Sequence, residues 1–144
     1  TMGYPDPADE AAILKAKSQK SSLPQVRTVM TAEHLKLLRN AADGVFVSDE
    51  IFDYIARLSA ATRNDPRLEL GVSPRGSLAV TAMAKSAAMF SGRNYVIPKD
   101  IENIYGDVCA HRVIPARIKG KVPDDSGVRD ILESICGGVT APKL

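Results

Sequence analysis

The chain has 144 residues, enough for one domain with a real core and a stretch for two. Hydrophobic residues make up 44% and charged residues 25%, an ordinary globular balance that excludes intrinsic disorder. The formal charge of +2 is spread over scattered basic residues, which argues against a dedicated polyanion binder, and no window approaches the run of about 18 apolar residues that a membrane span needs.

The opening "TMGYPDPADEAA" is acidic and prolyl and lacks the apolar core of a signal peptide, so the cytoplasm is the expected compartment. A short helix is predicted from Pro7 to about Lys17, with Asp6 as N-cap and Asp9 and Glu10 in the first turn. The polar, aperiodic "SQKSSLPQVRTV" reads as a loop or linker. Thr31 caps a second helix to about Ala42, with Leu35, Leu38 and Ala42 on one face and Gly44 closing it. "VFV" at 45–47 is briefly extended. Ser48 caps a third helix whose Ile51, Tyr54, Ile55, Leu58 and Thr62 recur at three and four, the spacing of a buried face. A fourth helix runs from Pro74 to about Ser91 and ends at Gly92; its alanines 79, 82, 84, 87 and 88 allow close neighbours. A fifth starts at Pro98 and carries Ile101, Ile104, Tyr105, Val108 and Cys109 on one face. After the turn-like "PDDSG", Val128, Ile131, Leu132, Ile135 and Cys136 mark a sixth. "RVIPARIKGKV" alternates weakly and is expected to hold a short strand or hairpin able to pair with "VFV". The fold class is therefore all-α, a bundle of five or six helices with at most one short β pair.

Catalytic constellations are scarce. His34 and His111 belong to no metal-ligand spacing, so no metal site is expected, and Cys109 and Cys136, without a CxxC, read as reduced thiols on core faces. Gly71 and Gly76 are spaced like the glycines of a phosphate-binding GxxxxGK[ST] loop, but Ser77 stands where the lysine should be and Pro74 removes a backbone N–H. A complete P-loop is excluded.

The sharpest local feature is "GVSPRGS". With Ser73 as N-cap and Pro74 first, Arg75 is the second helical residue, where the helix dipole disfavours a cation by about 0.3–1 kcal/mol. Gly76, third, loses roughly another 1 kcal/mol of helix propensity against alanine. An anion would compensate both, met by Arg75 and by free N–H groups of the first turn, with Gly76 leaving room for close approach. The alternative is an exposed arginine paired with a nearby carboxylate.

"VFVSDEIFDYIARLSAATR", "LGVSPRGSLAVTAMAKSAAMFSGRNYVIPKDI" and "CAHRVI", in this order, resemble the C-terminal lid domain of the MoxR family of AAA+ ATPases. "GYPDPADEAAIL" resembles the junction where the ATPase core passes into that lid. The resemblance implies the end of the core and a first lid helix over 1–20 and the helical lid, with C-terminal helix and tail, over 21–144. It assigns Arg75 to the sensor 2 arginine that contacts the ATP phosphates, framed by Ser73, Pro74 and Gly76. It implies Mg-ATP as the cofactor of a full-length hexameric ATPase that remodels or assembles client proteins. The partners it implies are the ATPase core itself, neighbouring subunits and a von Willebrand factor A domain protein. The Walker A and B motifs, sensor 1 and arginine finger of such a protein would precede residue 1, so this chain alone is expected to be inactive and to require no cofactor. Arg63 and Arg112 also match family positions, and both are expected to be structural helix-end residues that bond the last carbonyls.

The competing reading is a stand-alone helical module that binds protein or nucleic acid and has no nucleotide role. Nucleic acid is disfavoured: Tyr54, Tyr105 and Phe90 fall on core stripes rather than on a basic groove, and "NDPRLELGVS" is too long for the turn of a helix-turn-helix.

Overall fold

The computed structural model describes residues 3–19, 27–117 and 124–143. The centre of the expected linker (residues 20–26), the boundary expected between residues 20 and 21, and the basic stretch 118–122 lie outside the described residues. The chain divides into two compact units, Thr1–Leu35 and Lys36–Leu144.

The first unit contains α1 (Pro7–Gln19), where the Asp6 carboxylate accepts the Asp9 N–H at 2.8 Å and so caps the helix as its sequence predicts. Every α1 side chain described is exposed. α2 (Ala32–Asp43) begins behind Thr31, whose hydroxyl accepts the His34 N–H at 3.2 Å. Its expected buried face is not formed: no α2 residue is buried, Leu35 is exposed, and Leu38 and Ala42 are only half-buried. Amphipathic spacing creates such a face, but burying it needs a covering element, and Leu38 and Ala42 are covered only in part.

The second unit is built on α3 (Asp49–Asn64), α4 (Pro74–Phe90), α5 (Pro98–Cys109) and α6 (Asp125–Gly138). The stripes expected on α3, α5 and α6 all point inward: Ile51, Tyr54 and Leu58 meet Ile101 and Tyr105, and Leu132 closes the core from α6. α4 packs chiefly on α5 and α3. It contributes Val80, Ala84 and Ala88 to the core, small side chains that let neighbouring backbones come close. At its other end Phe90 is 77% exposed, a correction to the reading that placed it on a core stripe; the buried stripe of α4 runs through Gly76, Val80, Ala84 and Ala88, and Phe90, two residues past Ala88, falls on the other face.

The β content is one short pair, with a corrected partner. β1 (Leu68–Leu70) pairs antiparallel with β2 (Ile114–Pro115), Leu68 opposite Pro115 and Leu70 opposite Ile114, with a bulge between. The 45–47 run instead makes one parallel bridge, Phe46 to Tyr95, which ties the start of α3 to the loop after α4. Strands of two or three residues carry too little pattern for their partners to be read from alternation.

α4 ends in a left-handed Gly92 (φ +74°), with the Gly92 N–H on Met89 O and the Arg93 N–H on Ala88 O, a Schellman closure. Arg93 then reaches Asp100 in the first turn of α5 at 2.5 and 2.8 Å, and the same carboxylate accepts the Ile97 N–H at 2.9 Å. Burial alone would push Asp100 up, but Arg93 and the Ile97 N–H together outweigh it and hold its carboxyl below the ordinary value.

Candidate anion site at the start of the fourth helix

The first turn of α4 forms as its residue types dictate. Ser73 is the N-cap, in extended conformation (φ −75°, ψ 164°), and its hydroxyl accepts the Gly76 N–H at 3.3 Å. Pro74 fills the first helical position and brings no donor. The Ser77 N–H returns to Ser73 O. Of the donors in this turn, the Arg75 N–H alone remains unused among the described residues.

The Arg75 side chain is exposed and, among the described residues, makes no hydrogen bond and no ion pair, so the carboxylate partner of the bland reading is not found there. The first turn of α4 also has no acidic residue, whereas α1, α2, α3 and α5 each have at least one. The positive end of its dipole is thus reinforced by a cation instead of offset.

Gly76 has a different cause from the one sequence alone suggests. It is buried, and an added Cβ would lie 2.6 Å from Val72 Cγ1 and 3.6 Å from Arg112 Cδ. Its missing side chain makes room for neighbours within the chain, not for a ligand.

The two flanking arginines meet this turn from outside. Arg63, in the last turn of α3, donates through Nε to Val72 O at 2.8 Å; its partner is the loop ahead of α4 and not a carbonyl of its own helix. Arg112, in the 3-10 turn Ala110–Arg112 after α5, donates to Val108 O at 2.5 Å, a carbonyl of the last α5 turn, and contacts His111. Sequence reasoning missed two groups beside them. Thr62, counted only as part of an apolar stripe, is fully buried; its hydroxyl accepts the Val72 N–H at 2.9 Å and donates to Ser59 O at 2.7 Å. Ser59 in turn bonds Ser77 across α3 and α4 at 2.8 Å. A polar residue repeated at core spacing was the available signal.

The donor set suits the phosphate end of a nucleotide: an unpaired guanidinium and a backbone N–H at a helix N-terminus. No cluster of three His, Cys, Asp or Glu side chains that could hold a metal ion occurs among the described residues. Both histidines are exposed.

Residues 60–134 match the family model described as an AAA lid domain, just over half of the chain, and they include Arg75 and the first turn of α4. The chain belongs to the AAA lid domain family. The lid is 34% identical over 122 residues to the chaperone MoxR1 of Mycobacterium tuberculosis, covering 78% of this chain and 32% of that protein. It is 31% identical over 137 residues to the protein YeaC of Bacillus subtilis, covering 93% of this chain and 42% of that one. The chain therefore spans less than half the length of these relatives. A crystal structure of a protein from Cytophaga hutchinsonii, described as an ATPase, superposes with a TM-score of 0.72 at 26% identity, over 99% of this chain and 45% of that one. These likenesses put the lid with the MoxR type that its sequence resembles. Among the described residues no helix is long and apolar enough to cross a membrane.

Proposed function

We propose that this lid reads the nucleotide state of a MoxR-type AAA+ ATPase through Arg75 as its sensor 2 arginine. The observation that carries the reading is the state of Arg75: exposed, unpaired among the described residues, and placed beside the one unused N–H of a helix N-terminus that no acid neutralises. Bound Mg-ATP supplies the phosphoryl group for hydrolysis. Arg75 then meets phosphate oxygens with a planar pair of donors, and the fixed first turn aims it. A cation that reaches the phosphates when the lid closes stabilises charge that grows in the transition state, so it acts on turnover more than on the first encounter with nucleotide. The ATPase core, neighbouring subunits of a hexamer and a von Willebrand factor A domain protein are the partners this reading implies. The name of the mycobacterial relative supports a chaperone-like role for the whole assembly.

The test is Arg75→Ala in the full-length protein, measuring steady-state turnover and equilibrium binding of an ATP analogue. Turnover is expected to fall at least about tenfold, a barrier increase of roughly 1.4 kcal/mol, with a smaller loss of affinity. Lysine, with charge but no fork, restores it only in part. The isolated lid is expected to stay folded with either substitution, since the side chain is exposed and makes no hydrogen bond or ion pair among the described residues. Wild-type turnover in Arg75→Ala would remove the sensor role. The isolated lid is expected not to hydrolyse ATP; turnover above a blank that a point mutation within this chain abolishes would overturn that.

A further inference from the structure

Between α3 and α4 the chain is joined by directional polar bonds as well as by apolar packing. Val72, the residue before the Ser73 cap, is fully buried, and both of its backbone polar groups are held by consecutive residues of one α3 turn: its N–H by the Thr62 hydroxyl at 2.9 Å and its carbonyl by Arg63 Nε at 2.8 Å. The Thr62 hydroxyl is itself oriented by Ser59 O. Gly71 brings the loop so close that an added Cβ would lie 2.5 Å from Arg63 N and 2.6 Å from Thr62 C, a distance only glycine permits. One turn further along, Ser59 and Ser77 join the two helices again.

A buried amide needs some acceptor, and a single hydroxyl would meet that need. Here donor and acceptor of one residue are gripped together, from adjacent positions, three residues before Arg75. Apolar contacts tolerate sliding, while paired directional bonds fix distance and angle. We propose that Thr62 and Arg63 are positioning residues for Arg75: by clamping Val72 they set where α4 begins relative to the end of α3, and so where the sensor guanidinium stands. The proposal rests on the nucleotide-sensing role of Arg75 and assigns Arg63 more than a helix-end contact.

The experiment is a double-mutant cycle in full-length protein with turnover, ATP-analogue affinity and melting temperature as readouts. Thr62→Val, which keeps shape and removes the hydroxyl, is expected to lower turnover about tenfold, as small misplacement of a phosphate-contacting group does, while analogue affinity changes by less than about twofold. Thr62→Ser keeps the hydroxyl and is expected to restore turnover to within about twofold. In the Arg75→Ala background Thr62→Val is expected to cost almost nothing further, because there is no guanidinium left to aim. Arg63→Ala, at an exposed side chain, is expected to behave like Thr62→Val and provides the same cycle if that variant does not fold. An equal loss with and without Arg75 would make the clamp merely structural and overturn the proposal, as would wild-type turnover in both clamp variants. If Arg75→Ala itself turns over like wild type, the sensor reading falls and the positioning proposal with it; if Arg75→Ala is impaired and the clamp variants are not, the positioning proposal alone falls.

Discussion

Gly71 and Gly76 stand on either side of the Ser73 cap, both buried, and their substitutions should differ in kind. A Cβ at Gly71 would collide with the backbone of Thr62 and Arg63, which can move only if the end of α3 moves. Gly71→Ala is therefore expected to cost at the upper end of about 1–3 kcal/mol, the range for overpacked sites, read as a lowered melting temperature of the isolated lid. At Gly76 the obstacle is the Val72 side chain, and alanine also recovers about 1 kcal/mol of helix propensity, so the net loss should be smaller. A cycle with Val72→Ala separates the causes: Gly76→Ala should cost less when Val72 is already truncated, and an unchanged cost would show that Val72 is not what excludes the methyl. Arg112 belongs to the same neighbourhood, its stem against Gly76 and its guanidinium on Val108 O. Arg112→Ala is expected to lower stability on the order of 1 kcal/mol, as loss of a helix-end partner does.

Among the elements, the joint between α4 and α5 has the clearest dependence on pH. Asp100 is 5% exposed and bonds Arg93 twice and the Ile97 N–H once. Its folded pKa lies below the ordinary 3.8, so its contribution is fully present above the unfolded value and is lost as pH falls through the folded one. Asp100→Asn keeps an acceptor for the Ile97 N–H but loses the charge that Arg93 meets. It is therefore expected to melt lower than wild type near pH 7 by about 1–3 kcal/mol, the range for a lost hydrogen bond to a charged group. That deficit should narrow steadily below about pH 4, where the wild-type carboxyl begins to take up its proton. A constant deficit across that range would mean that the charge of Asp100 does not matter to the joint. α2 shows the opposite situation: a capped helix with no fully buried side chain, so local terms carry more of its stability than they do in α3 or α5.

Over the whole molecule, the two cysteines can report how the bundle opens. Both thiols are free, Cys109 buried and Cys136 half-buried. Burial pushes Cys109 up to about 12 and Cys136 up to about 11, so at pH 8 only about one part in a thousand of Cys136 is thiolate, and less of Cys109. Mass spectrometry after brief alkylation at pH 8 is expected to find both unmodified in the folded lid and both modified in denaturant; fast labelling of Cys109 under native conditions would show that α5 and α6 separate easily. What the sequence made legible was local: the caps at Asp6, Thr31 and Ser73, the stripes of α3, α5 and α6, and the position of Arg75 on α4 all follow from spacing within one element. The bonds of Thr62 to Val72 and Arg93 to Asp100, and the pairing of β1 with β2, join residues whose partners no periodicity specifies, and the fate of the α2 face depended on what covers it. The same long-range bonds give α4 a mechanical character. The helix is 17 residues long, about 25 Å at 1.5 Å per residue, with no proline beyond its first position. One end is pinned beside Arg75 by α3, and the other is latched to α5 through the Arg93 that follows Gly92. A strut held in this way tilts only together with what it is latched to: a tilt of about 10° at the pinned end carries the far end, and the start of α5 with it, by about 4 Å. Phe90 stands exposed at that far end, so a small tilt begun at the guanidinium would be legible as displacement of an aromatic ring a whole helix length away.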